Sequence, residues 1–511
     1  YRLSGGIHFG TDLAAPCGTE VVAIADGVVF AVDNLNFGSG PHNLMIDHPD
    51  LGYASLYGHL LEAPDLKVGQ QVRRREAVAL SGDPAETCHG RPHLHLEIRD
   101  LTHVRKYNPQ ALIDADWDNL ATIGPFRSTF EYDLDEPRKW QHLDDQPEVT
   151  VGGPLVNDFA RPWPPDVVLI PMPRVFAVSG KGAGSESPLA ASEPALQRLA
   201  EGGCCTQPTW TADSRSVLVI DKPNAERPTG IWRYDITEND LKADLFSDRI
   251  AFYTADHVYR VVASADTTTI EQVETGASWT VPARGQPVSI SPGQTRIAWQ
   301  VVNDQDYMIE NRVTQIFVAN LDGSEARRVV TIPRGAFAGW ISEDAILFSG
   351  RESLKADEQI IYFLSLVTGE RKELVRGERL RGALLSPDGA WLAYYIALDE
   401  DPTQNGVWVM RTDGSARHRL DISLFGSYRW RDEQRLIILP FRQEATHHEL
   451  WEFNVESLEA RRLTDPDTMP FKIANDNWCV SPDGQKVAFV ESRDRNLWVL
   501  TLADQRKGDV P

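Results

Sequence analysis

Hydrophobic and polar positions follow two different rhythms along the chain. Up to about residue 110, short runs of Val, Ile, Leu and Tyr alternate with glycine-marked turns, as in "EVVAIADGVVFAVDN", "NLMIDHPDLGYASLYGHL", "QQVRRREAVALSGD" and "PHLHLEIRD". Runs of four to eight β-formers between turn residues predict strands, and no helical period competes with them. Residues 113–160 break this pattern. They are acidic, with scattered Pro and Gly, and read as a connector. From about residue 161 a second rhythm sets in, with a repeat of roughly 40–50 residues.

The repeat is clearest where "LLSPDGAWLAYYIA" precedes "GVWVMRTDGSARHRL", and where "CVSPDGQKVAFVES" precedes "NLWVLTL". "SISPGQTRIAWQVV", "TWTADSRSVLVID", "GWISEDAILFSG" and "YRWRDEQRLIILPF" open further copies, and "SDRIAFYTADHVYRVVA" is a degenerate one. Ser-Pro-Asp-Gly suits a tight turn: Pro presets φ, Asp caps the turn and Gly accepts positive φ. One small sheet cannot bury both of its faces, so such units stack radially into a β-propeller. The turn and the strands after it resemble the TolB-like, PD40-type propellers. That resemblance covers about 350 residues and implies six or seven blades, with "DVVLIPMPRVFAVSG" as the expected closing strand. It says little about function, since propellers host many roles. Trp408, Trp451 and Trp498 recur at equivalent positions and read as packing between blades.

Composition adds limits. The 511 residues are 42% hydrophobic and carry a formal charge of −23. That balance disfavours nucleic acid and anionic membrane surfaces as partners. No apolar run is long enough to span a bilayer. No signal peptide is visible, and the start at Tyr1, close to a domain edge, leaves a trimmed leader open. Of five cysteines, Cys204 and Cys205 are adjacent and poorly placed for an ordinary bridge. Cys17 and Cys88 share the first domain, and two readings stand for them: a disulfide, or free buried thiols.

Histidines supply the candidate chemistry. Eight of the thirteen lie before residue 104. In a strand, residues two apart share a face, so His93 and His95 project together while Leu94 and Leu96 turn to a core. Glu97 falls on the histidine side. His8 and Asp12 are four apart, in a glycine-rich context that favours a loop or strand end over a helix. With one more histidine they supply three N/O donors and leave a fourth position for water, as catalytic zinc sites do. His59 ends a strand-like run and is the candidate for a non-ligating histidine. His42 and His48 match no chemical role, His48 reading as a turn residue. His447 and His448 are adjacent, and strand neighbours face opposite ways, which argues against a shared metal.

"HFGTD" at 8–12, "YGHLLEAPDLKVGQQV" at 57–72 and "HLHLE" at 93–97 together resemble the LytM/lysostaphin-type metallopeptidases, family M23. The resemblance covers about 110 residues in the right order. Together with the strand pattern and the propeller resemblance, it gives the expectation of an all-β chain: a small M23-type β-sheet peptidase domain at 1–112, the connector at 113–160 and a propeller of six or seven blades at 161–511. It implies one zinc ion on His8, Asp12 and His95, with His59 and His93 as catalytic residues. It further implies peptidoglycan stem peptides or cross-bridges as substrate, and an extracellular, periplasmic or cell-envelope location. The propeller would bind a protein or polymer ligand or regulate access. The loop "SGDPAETCHGRP" departs from the family's Gly/Ser/Thr-rich wording, which bears on substrate preference. The rival expectation is a non-catalytic propeller-based binding protein that uses an M23-like docking module.

Overall fold

The computed structural model describes residues 10–113 and 195–502 with short internal breaks, among them 84–86 and 89–91, and the two-residue strands at 2–3 and 6–7. The connector, the apolar run at 166–180, His8, His89, Cys204 and Cys205 lie outside the described residues. The chain divides into two compact units.

The first unit contains β1 (Arg2–Leu3), β2 (Gly6–Ile7), β3 (Thr11–Ala14), β4 (Glu20–Val22), β5 (Gly27–Val32), β6 (Asn43–His48), β7 (Tyr53–Gly58), β8 (Gln71–Val72), β9 (Ala77–Leu80), β10 (His93–Asp100) and β11 (Lys106–Tyr107). Its main sheet runs β11-β10-β7-β6-β5-β8, with β3 also on β10. Alternation within each strand sends side chains to both faces. Leu44, Ile46, Tyr57 and Leu96 build the larger core, which Leu94 flanks. Met45, Ala54 and Leu56 build a smaller core on the other side, with Phe37 against it. The sheet is therefore covered on both faces in part, which explains the nearly unbroken burial of β6 and β7.

The second unit contains seven four-stranded antiparallel sheets, the blades of a propeller. The degenerate repeat is a true blade, with strands from Phe252–Tyr253 to Ser278–Val281. Neighbouring blades share cores. Leu347 and Ile361 of one pack with Leu392 and Tyr394 of the next, and Trp408 lies beside this cluster. Trp451 and Trp498 flank equivalent clusters, as their recurrence predicts. The turn chemistry also holds. Asp388 Oδ1 accepts from the Ser386 hydroxyl and from the Ala390 N–H, and Gly389 sits at φ 72°. Ser386 does more than the sequence suggests, because its Oγ also receives the N–H of Trp391.

Closure differs from the expectation. The strand that completes the last blade is Ala195–Arg198, paired antiparallel to Leu497–Thr501 from Ala195 opposite Thr501 to Arg198 opposite Trp498. Among the described residues no helix is long and apolar enough to cross a membrane.

Candidate metal and catalytic centre

The site is built on β10 and its two neighbours. β3 pairs with β10 so that Asp12 stands directly opposite His95, and Ala14 opposite His93. On the other edge Gly58 of β7 pairs with His95, and His59 follows it immediately. Leu94 and Leu96 turn to the core, leaving His93, His95 and Glu97 on the opposite face, as the two-residue period predicts.

These placements bring four side chains together. Asp12 Oδ1 lies 2.9 Å from His95 Nδ1, and Asp12 Oδ2 lies 3.6 Å from His93 Nε2. The His59 ring centroid is 4.9 Å from that of His93 and 5.4 Å from that of His95. Of the expected ligand set, Asp12 and His95 meet, and His8 is outside the described residues. Among the described residues alone no group of three His, Cys, Asp or Glu forms a metal cluster.

The electrostatics favour a cation here. The His95 ring has a carboxylate at each nitrogen: Asp12 at Nδ1, and Glu97 Oε1 at 3.1 Å from Nε2. Burial disfavours the charged ring, but the bonds to Asp12 and Glu97 outweigh it and hold the imidazole up at about 9. Glu97 is buried too, yet His95 and the Arg99 guanidinium hold its carboxyl down at about 2. Two donors on one tetrahedral zinc, each at about 2.0–2.1 Å, stand about 3.3 Å apart. The 2.9 Å between Asp12 and His95 lies close to that value, so these two donors fit zinc.

His59 is held differently. It takes a left-handed conformation, φ 57°, and its backbone N–H donates to Ser39 O. Its Nδ1 lies 2.5 Å from Gly40 O, so the Nδ1 proton is donated there and the neutral ring carries its lone pair on Nε2. Burial, opposed by the Gly40 bond, lowers its pKa. His59 is thus a neutral imidazole with an accepting Nε2.

One feature went unanticipated from the sequence. Arg99 continues the parity of His93, His95 and Glu97, which was the available signal, and its Nε donates to Glu97 Oε2 at 2.7 Å. Cys17 and Cys88 form a disulfide, which resolves the two readings and accounts for the departure in the loop before β10. His48 is buried at the end of β6 and not in a turn, with Nδ1 2.8 Å from Asp26 O and Nε2 2.8 Å from Ser55 Oγ. His42 meets Asp33 at 3.0 Å. His448 is likewise buried, and its Nδ1 accepts the N–H of Ile473.

The first unit thus carries a cluster of histidines and one aspartate on an antiparallel sheet, and the second is a propeller. Residues 6–109 match Peptidase family M23, so the first unit is an M23 peptidase domain. An uncharacterized metalloprotease of Buchnera aphidicola subsp. Baizongia pistaciae is 32% identical over 105 residues, 20% of this chain and 26% of the relative. The peptidoglycan DD-endopeptidase ShyA of Vibrio cholerae is 36% identical over 91 residues, 18% of this chain and 20% of that protein. The chain thus spans only about a fifth to a quarter of the length of these curated relatives. An oligogalacturonate lyase structure from Vibrio parahaemolyticus covers 60% of this chain and 93% of its own at 10% identity, with a TM-score of 0.45. That likeness carries no argument, and the seven sheets stand without it. The second unit is the propeller anticipated from its TolB-like repeat.

Proposed function

We propose that the chain is a zinc-dependent endopeptidase that hydrolyses peptide bonds in peptidoglycan stem peptides or cross-bridges. The observation that carries this reading is the cross-strand placement of Asp12 against His95, with the His59 and His93 rings beside them. His8, Asp12 and His95 hold the metal. Bound zinc supplies a Lewis acid for the scissile carbonyl and lowers the pKa of water toward 7. His59 accepts the proton of the attacking water at Nε2, because Gly40 O already occupies its Nδ1 proton. His93, beside Asp12, donates to the developing oxyanion or the leaving amine.

The naming of one relative as a peptidoglycan endopeptidase supports the substrate class. The Cys17–Cys88 bridge supports an extracellular or envelope location, since disulfides persist in oxidising compartments. For the propeller, a cavity of about 650 Å³ lined by Phe252, Tyr253, Trp299, Phe337 and Trp340 is the candidate seat of a ligand. It opens where two successive inner strands, Phe252–Tyr253 and Ser289–Ile290, shorten to two residues.

The test combines metal analysis with digestion of purified peptidoglycan, with and without a chelator, and mass analysis of the products. About one zinc per chain and chelator-sensitive release of peptides are expected, both lost in His95→Ala. A metal-free, folded protein that releases nothing would overturn the reading in favour of a binding protein. Normal turnover by His95→Ala would remove the assigned site.

A further inference from the structure

We propose that Glu97, anchored by Arg99, is a positioning residue for the metal ligand His95, and that Arg99 couples this ligand to the segment that holds His59. The inference rests on the zinc reading above.

The contacts form one continuous line. His95 Nε2 meets Glu97 Oε1 at 3.1 Å. Glu97 Oε2 receives Arg99 Nε at 2.7 Å. Arg99 Nη2 then reaches across the sheet to Phe37 O at 2.8 Å, its Nη1 reaches His103 O at 3.3 Å, and its guanidinium lies over the Phe37 ring. Three residues beyond Phe37, Gly40 O receives the His59 ring proton, and Ser39 O receives the His59 backbone N–H. The segment at 37–42 is therefore tied to both halves of the site: to the ligand through Arg99 and Glu97, and to the base through two carbonyls.

Glu97 and Arg99 are both almost completely buried. Burying an ion pair costs desolvation that its attraction barely repays, so the pair is a weak contributor to stability. Its geometry does something else. A carboxylate can only accept at His95 Nε2, so that nitrogen keeps its proton, and Nδ1 is the nitrogen left to a metal once the proton it shares with Asp12 is displaced. This fixes the tautomer that a metal needs, and carboxylates placed this way raise the basicity of the ligand. The two arms are separable. Glu97 governs the ligand, while Arg99 governs both the ligand and the segment at 37–42.

The experiment measures zinc affinity by competition with a chromophoric chelator, the His95 tautomer by 15N chemical shifts, and kcat and KM at saturating zinc. Glu97→Gln keeps the size and leaves Arg99 on Phe37 O. It is expected to weaken zinc binding 10–100-fold and to erode the Nε2–H preference. Arg99→Met is expected to weaken zinc similarly and also to lower kcat at least tenfold, with Arg99→Lys intermediate. Circular dichroism establishes the fold of each variant, and Glu97→Asp replaces Glu97→Gln if the latter fails to fold. Zinc affinity within threefold of wild type and an unchanged tautomer in a folded Glu97 variant would overturn the proposal. Failure of the wild-type protein to bind zinc is a different result, and would remove the zinc reading itself.

Discussion

Replacing Gly10 by alanine tests the geometry of the site without touching any polar group in it. Gly10 lies one residue before β3, against the His95 ring. A Cβ there would come 2.7 Å from His95 Cε1, 2.8 Å from His95 Nε2 and 2.7 Å from Leu96 O. An ordinary contact is about 3.4 Å or more, so about 0.7 Å must be found. The imidazole could swing, but Asp12 and Glu97 hold it at both nitrogens. Leu96 O belongs to the backbone of β10, which is paired on both sides, with β3 and with β7. The start of β3 therefore has to retreat, and it carries Asp12 away from His95. Overpacking of this kind costs roughly 1–3 kcal/mol. Each 1.4 kcal/mol lost from ligand geometry is a tenfold loss of affinity, so zinc binding should weaken by about 10-fold or more. Reacting groups misplaced by up to 1 Å lose on the order of 100-fold in rate. Zinc competition, peptide release from peptidoglycan and the urea midpoint of the variant give the three readouts. Zinc affinity within twofold of wild type together with an unchanged midpoint would refute the packing argument and the placement of β3 with it.

Two further predictions concern stability. Cys17→Ser/Cys88→Ser removes a bridge that closes a sequence separation of 71. The loop-entropy relation assigns it about 4.4 kcal/mol, so urea unfolding of the first unit should shift by up to that amount, and equal midpoints for oxidised and serine forms would contradict it. In the propeller, hydroxyls of Thr211, Thr237 and Ser415 donate to Asp213, Asp235 and Asp413 at 2.6 Å and lower their pKa values. Folded-state values below the usual 3.8 mean that the unfolded chain binds more protons there, so this contribution is present above 3.8 and fades as pH falls through the folded values. Exposure keeps each contribution small. The urea midpoint of the propeller should decline from pH 5 to pH 3, and a flat profile would refute the assignment.

How much of this was legible depended on whether a feature is carried by side chains or by backbone. The face of β10 could be read because a period of two admits one arrangement: Leu94 and Leu96 inward, His93, His95 and Glu97 outward. The same parity reaches Arg99, and only its destination was hidden. That destination is a carbonyl of Phe37, just as His59 depends on carbonyls of Ser39 and Gly40. Every residue has a carbonyl, so such partners leave no mark in composition. Asp12 opposite His95 was hidden for a related reason, since glycines around 5–10 left the local conformation open until β3 paired with β10.

Ring closure makes the same point from the opposite direction. The most apolar run after the connector, at 166–180, looked like the missing strand, because a strand is expected to bury a face. The strand that closes the blade is the outermost of its sheet, and Ala195–Arg198 is half-exposed along its length. What it must supply is a ladder of hydrogen bonds to Leu497–Thr501. Those come from the backbone, so almost any side chains serve there. "ALQR" therefore carries no apolar alternation to find. By contrast, Asp12, His59, His93 and His95 stand out because only a few side chains can offer a metal or a proton what these four offer.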